Sequence, residues 1–337
     1  MINYVYQLVS PKLISVKHEV LDTKEMVLIR PEYMSICQAD QRYYQGMRSG
    51  KVMKEKLPMA LIHECCGTVV FDDTNTFKEG QRVVMIPNHS STKNDVIYEN
   101  YAKDSFFLSS GHDGFMRELV NLLPDRVVQF ENIELPIAAI TEFVSVGVHA
   151  ITRFDLAAHS NRGIIGIWGD GSLAYIVASL LKELQTESEI IVVGKNINKL
   201  SHFSFVDKTY LADYLPSDFE VDHAFECVGG EGSYFAIDDI IRYINPQGTV
   251  MLLGVSENKV PIYTRDILEK GLSFIGCSRS GRTDFQKAVE LLGNKKLQNR
   301  LSTIIFEDKP VSSITDIHRV FQADLSIPFK TVFRWNL

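Results

Sequence analysis

The sequence predicts two domains of different texture, a mainly antiparallel β domain followed by an α/β domain built on a doubly wound parallel sheet. Three observations carry this. Residues 1 to about 140 are short β-branched and aromatic runs broken by Gly, Pro and Asn. From about residue 163 continuous apolar strands alternate with amphipathic helices, the pattern of strand–helix–strand units. A length of 337 residues with 45% hydrophobic content then allows two cores of ordinary size.

Taken in order, the segment from Met1 to Val9 reads as an opening strand. Val27–Arg30, Gly67–Phe71, Arg82–Ile86 and Met116–Val120 read as further short strands, with a tight turn at Lys78–Gln81. In the second part, Ile164–Trp168, Ile190–Val193, Val221–Glu226, Thr249–Leu253 and Leu272–Gly276 read as continuous, mainly apolar strands of the sort buried on both faces of a parallel sheet. Helices are expected at 172–184 and 232–244 between them. A further helix follows residue 282, and Lys330–Trp335 is a strand expected to return to the first domain. The expected boundaries are 1–143, 144–281 and 282–337. No repeat or low-complexity tract interrupts this order.

A net charge of −7 and scattered Lys and Arg provide no electrostatic footprint for nucleic acid. No apolar run reaches membrane-spanning length, and the N-terminal residues lack the basic and apolar regions of an export signal, so the cytoplasm is the expected compartment. The five cysteines, at 37, 65, 66, 227 and 277, form no CxxC pair, which suits reduced thiols. All but Cys37 read as buried and inert.

Gly169-Asp-Gly171-Ser-Leu-Ala174 follows one strand and opens the next helix, which is the context a dinucleotide-binding turn requires. Gly169 permits the turn, Gly171 lets backbone N–H groups approach a pyrophosphate, and Ala174 keeps helix and strand close. Selection of NAD rests on a carboxylate ending the second strand, and here that strand ends Gly194-Lys195-Asn196 with Lys199 beyond. Lys195 and Lys199 suit a 2′-phosphate and Asn196 offers a neutral donor, so NADPH is expected over NADH. Gly229 and Gly254 end later strands, where small residues let the nicotinamide half approach or simply serve their own turns.

Cys37, the adjacent His63 and Glu64, and Glu142 complete the pattern, a thiolate, an imidazole and carboxylates of the kind that hold one catalytic Zn²⁺. Here the chain resembles the medium-chain, zinc-dependent alcohol and polyol dehydrogenases over nearly its whole length. Ser35-Ile-Cys37-Gln-Ala-Asp40 is similar to that family's first metal motif, Ile62-His63-Glu64-Cys65-Cys66-Gly67 to its second, and Glu142 occupies its further acidic position. Longer blocks, Gln41–Gly46, Gly166–Gly171, Lys199–Asp207, His223–Gly230, Leu253–Glu257 and Gly276–Gly281, resemble the NADPH-dependent ribulose-5-phosphate reductases. The resemblance implies a GroES-like catalytic domain and a Rossmann domain. It implies Cys37 and His63 as direct zinc ligands, Glu64 and Glu142 completing the shell directly or through water, and Asp40 accepting the other imidazole N–H of His63.

Two departures from the family pattern matter. Residues 86–115 lack the four cysteines that hold a second, structural zinc in many relatives, so that metal is expected to be absent. Ala39 stands where relatives often carry a relay hydroxyl, which leaves a zinc-bound water, Glu64 or Tyr43 to move the proton.

The resemblance implies NADPH-dependent reduction of D-ribulose 5-phosphate to D-ribitol 5-phosphate, which supplies CDP-ribitol for teichoic acid or capsule synthesis. The substrate phosphate needs a cationic fork, and Arg42 is the first candidate, followed by Arg48, Lys51 and Arg279. His149 is expected to be packed, not catalytic. Two other readings compete, a zinc polyol or secondary-alcohol dehydrogenase on an unphosphorylated substrate and a metal-free NADPH-binding sensor. The strand at 272–278 is expected at a sheet edge where a second copy pairs to give a homodimer, and functional coupling to a ribitol-5-phosphate cytidylyltransferase is expected.

Overall fold

The computed structural model describes residues 2–92, 94 and 96–337. They form two compact units, one of Met1–Ser145 with Arg279–Leu337 and one of Val146–Ser278.

In the first unit the largest sheet runs in the order Val127–Gln129, Arg82–Met85, Glu64–Asp72, Val27–Ser35, Lys330–Trp335 and Ile305–Val311, with Val120–Leu122 also on Val27–Ser35. All pairs are antiparallel except the last, which is parallel. The alternation in Val27–Ser35 buries Val27, Ile29 and Met34 against Val5, Leu8, Phe115, Phe321 and Phe333, so the sheet wraps one apolar core. Lys330–Trp335 lies beside Val27–Ser35, with Val332 opposite Ser35, and the chain after residue 282 thereby supplies an inner strand of the first unit. The segment 116–119, expected as a strand, is not one. Its neighbouring amides are shared among different partners, Phe115 N–H to Ile62, Met116 N–H to Leu61 and Glu118 N–H to Tyr4, so no continuous ladder forms before Val120.

The second unit holds a parallel sheet of six strands in the order Lys208–Leu211, Glu189–Gly194, Ile164–Trp168, His223–Glu226, Thr249–Leu252 and Ser273–Gly276. The central strands bury Ile165, Ile167, Ile191, Val193, Ala224, Phe225 and Val250. Helices Ser172–Leu184 and Gly232–Tyr243 follow two of these strands, and the first buries eight consecutive residues, Ala174 to Leu181. The edge strand Lys208–Leu211 has no counterpart in the sequence reading, because a short and largely exposed run carries no apolar signal. Among the described residues no helix is long and apolar enough to cross a membrane.

Candidate functional site

Three neighbouring strands of the first unit converge on one point. Val27–Ser35 leads into Cys37, which caps the short helix Gln38–Tyr44, and Ser35 pairs with Glu64 at the start of the next strand. Lys330 opens the strand on the other side. Ile62, at φ +69°, takes the left-handed conformation immediately before His63. The result gathers the ligand atoms of Cys37, His63 and Glu64 within 4.8 Å of one another. Glu142, buried in the first turn of helix Thr141–Ala157, stands outside that cluster, although its charge is felt by the same groups.

The electrostatics are those of a buried charged nest. Asp40 Oδ2 lies 3.5 Å from His63 Nδ1, longer than a hydrogen bond, so the pair acts chiefly through charge. Asp40 is itself held by the Ile62 N–H at 2.9 Å and the Ser109 hydroxyl at 2.6 Å. Burial pushes Asp40 up, but His63 and these bonds more than offset it and hold the carboxyl below its usual range. Burial would lower His63, yet Asp40 and Cys37 raise it well above the ordinary imidazole value. Burial first, and Glu64 next among the raising charges, push Glu142 up to about 7 against the opposing pull of His63 and Lys330. Lys330 donates to Glu64 Oε1 at 2.6 Å and to the Ile36 carbonyl at 2.9 Å, while Glu64 Oε2 is buried with no hydrogen-bond partner. An unfilled carboxylate oxygen beside a thiol and an imidazole fits a divalent ion of the Zn²⁺ type, which takes S, N and O donors together.

In the second unit the expected cofactor turn sits at the C-terminal end of the central strand Ile164–Trp168. Gly169 has φ +133°, and a Cβ there would meet the Cys227 carbonyl at 3.1 Å, so both backbone and space require glycine. A Cβ on Gly171 would meet nothing within 4 Å, which leaves the helix N-terminus open to an anion. Ala174 is fully buried under the helix. The adjoining cleft, about 250 Å³, is lined by Gly169, Gly171, Lys195, Lys199, Phe235 and Asp239 among others. Lys195 Nζ lies 5.1 Å over the Phe235 ring, and Asn196 uses its side-chain oxygen to cap the next helix. Gly229 and Gly254 also meet a structural need of their own. The buried Glu226 carboxylate accepts the N–H groups of Val228, Gly229 and Gly254, and a Cβ on Gly254 would lie 2.5 Å from it. These two glycines are required inside their own loop pair.

Residues 23–132 match the family model of the alcohol dehydrogenase GroES-like domain, and residues 189–294 that of the zinc-binding dehydrogenase. Over 340 residues, 100% of this chain and 98% of the relative, the sequence is 54% identical to a ribulose-5-phosphate reductase of Streptococcus pneumoniae. It is 50% identical to ribulose-5-phosphate reductase 1 of Staphylococcus aureus, covering 99% of each. The chain belongs to the zinc-binding dehydrogenases, in the ribulose-5-phosphate reductase group. The crystal structure of S. aureus TarJ in complex with NADPH is similar at a TM-score of 0.89 and 45% identity, with 100% of both chains covered.

In this member of the reductase group the four basic residues considered for the substrate phosphate are not equivalent. Lys51 is exposed and faces Glu55 one helical turn away at 4.0 Å. Arg48 lies 5.1 Å over the ring of the buried Tyr43, and Arg42 sits in the last turn of the same short helix. Arg279, at φ +60°, lies 4.9 Å over the Phe107 ring, and that ring packs edge-on to His63 at 5.2 Å. Burial holds the Arg279 guanidinium below its usual range against the raising effect of Glu142. His149 is fully buried in its helix. Three neighbours of the site escaped the sequence reading, namely Lys330, Ser109 and Phe107. Of these only Lys330 left a signal, a lysine opening a strand whose other residues, Arg334 apart, are buried.

Proposed function

We propose that this chain catalyses the NADPH-dependent, zinc-assisted reduction of D-ribulose 5-phosphate to D-ribitol 5-phosphate. The observation that carries the proposal is full-length similarity to ribulose-5-phosphate reductases at up to 54% identity in a chain whose Cys37, His63 and Glu64 ligand atoms lie within 4.8 Å. Cys37 and His63 would hold the metal, with Glu64 and Glu142 as the carboxylates available to complete its shell. A Zn²⁺ held there would supply electrophilic stabilisation of charge on the substrate's C2 oxygen, and bound NADPH would supply the hydride, with one proton needed on that oxygen to give ribitol 5-phosphate. Asp40 orients His63 and favours the tautomer that leaves its other nitrogen for the metal. Lys330 holds one oxygen of Glu64 and leaves the second buried without a hydrogen-bond partner.

For the cofactor, Gly169, Gly171 and Ala174 form the pyrophosphate turn, and Lys195, Asn196 and Lys199 lie at the adenosine 2′ end. Arg279 is the favoured phosphate contact, because it stands one aromatic ring from His63. The exposed strand edge at Ser273–Gly276, beside a helix that leaves Leu268 79% exposed, suits pairing with a second copy as a homodimer. The proposed setting is the cytoplasm, with a cytidylyltransferase consuming the product toward teichoic acid or capsule precursors.

The test is NADPH oxidation with ribulose 5-phosphate against ribulose, fructose and simple ketones, together with metal analysis. Preference for the phosphorylated ketose with about one zinc per chain is expected. Equal rates on ribulose would discard the substrate, and undiminished turnover by metal-stripped protein would discard the mechanism.

A further inference from the structure

The glycine turn carries a residue that phosphate binding alone does not explain. Asp170 stands between Gly169 and Gly171, and its Oδ2 accepts the backbone N–H groups of both Lys195 and Asn196 at 2.7 Å. The side chain thus crosses from the first strand–helix turn to the end of the second strand. It packs so closely there that a Cβ on Gly194 would sit 2.7 Å from Asp170 Cβ and 2.9 Å from its Oδ2.

That geometry has two chemical consequences. A carboxylate at the end of the second strand is what accepts the ribose hydroxyls of NAD and repels the 2′-phosphate of NADP. At Gly194 the space for any such side chain is already taken by Asp170. The same carboxylate satisfies two amides that open the Lys195-Asn196 turn, and so fixes the backbone from which Lys195 reaches the Phe235 ring and from which Asn196 caps Ile197–Leu200. Two N–H donors also spread the negative charge of Asp170, which reduces its repulsion of an incoming phosphate.

We propose that Asp170 is a positioning residue for cofactor choice: it excludes a side chain from position 194 and braces the Lys195-Asn196 turn for the 2′-phosphate of NADPH. This rests on the NADPH reading above. Because NADH has no 2′-phosphate, it depends less on where Lys195 stands, so loss of the brace penalises the two cofactors unequally.

The experiment measures dissociation constants of NADPH and NADH by fluorescence titration of the full chain without sugar substrate, for wild type, Asp170→Asn and Asp170→Ala. Asn keeps one oxygen able to accept both amides, whereas Ala keeps none. The expected result is NADPH binding weakened about 10-fold in Asp170→Ala with NADH changed less than about 3-fold, and Asp170→Asn within about 2-fold of wild type for both. Steady-state assays should place the Ala effect in KM for NADPH, with kcat retained. The proposal is overturned if Asp170→Ala weakens both cofactors alike, leaves NADPH binding unchanged or tightens it, or if Asp170→Asn is as impaired as Ala. A wild-type chain that binds NADH more tightly than NADPH overturns the cofactor reading itself, and the proposal with it.

Discussion

Lys330 Nζ meets Glu64 Oε1 at 2.6 Å across 266 positions of sequence, and both side chains are buried, 5% and 0% exposed. Burial lowers the ammonium's pKa, but the charges of Glu64 and Cys37 more than offset it and hold Lys330 above its usual range. Removing one partner leaves an uncompensated charge in the core, which is costlier than losing the attraction itself. Lys330→Met is expected to lose about 3–5 kcal/mol in urea denaturation, and the double variant Lys330→Met with Glu64→Gln to recover a substantial part of it. A single variant as stable as wild type would refute the charge account.

Cys37→Ser replaces a soft thiolate with a hydroxyl that rarely ionises. Zinc content and turnover should both fall by at least about 100-fold, while the fluorescence titration with NADPH is unchanged, because Cys37 and the glycine turn belong to different units. Loss of NADPH binding in this variant would contradict the division of labour.

Asp40→Asn keeps the shape but removes the charge that sustains His63. The Ile62 and Ser109 bonds can survive on the amide oxygen, so the fold should tolerate the change. Metal affinity, measured by competition with a chelator, is expected to drop about 10- to 100-fold.

Arg279→Gln separates phosphate recognition from the rest of the site. KM for ribulose 5-phosphate should rise about 10- to 100-fold, the loss of one charge-assisted contact, and the residual rate on unphosphorylated ribulose should not fall. Equal losses on both substrates would assign Arg279 a purely structural part.

His223 predicts an acid-sensitive term in stability. Thr249 N–H donates to its Nδ1 at 3.1 Å, which leaves the proton on Nε2 to reach the Asn161 carbonyl at 3.0 Å. Burial first, then His159, hold its pKa down to about 4. The unfolded chain, with an imidazole near the usual value of about 6.5, therefore takes up the proton before the folded one does. The stabilisation is complete above about pH 6.5 and is lost as pH falls toward 4. Between pH 7 and 4.5 the melting temperature of His223→Asn should fall less than that of wild type.

Much of this molecule was legible from residue order. The strands of the α/β half announce themselves because burial on both faces makes them mostly apolar, and Gly169 through Ala174 follow the central one directly. The cluster of Cys37, His63 and Glu64 was legible because Cys37 and His63-Glu64 each lie in a compact local motif. What escaped was set by long-range pairing. Met116–Leu119 has strand-like composition but divides its amides among several partners. Lys208–Leu211 is too short and polar to register before its neighbour aligns it. Lys330 finds Glu64 only once two strands far apart in the chain flank Val27–Ser35 on its two edges. Gly254 ends a strand, and the Glu226 carboxylate that needs a bare backbone there lies 28 positions away.

The split composition of the first unit also sets a timetable on the ribosome. Residues 146–278 are synthesised without interruption and can fold as soon as they emerge, but Glu64 must wait until Lys330 has been translated before it has a counterion. The first unit is therefore the last part of the chain to be completed, and a nascent chain stalled short of Lys330 would hold every residue of the second unit but a first unit whose Glu64 lacks this partner.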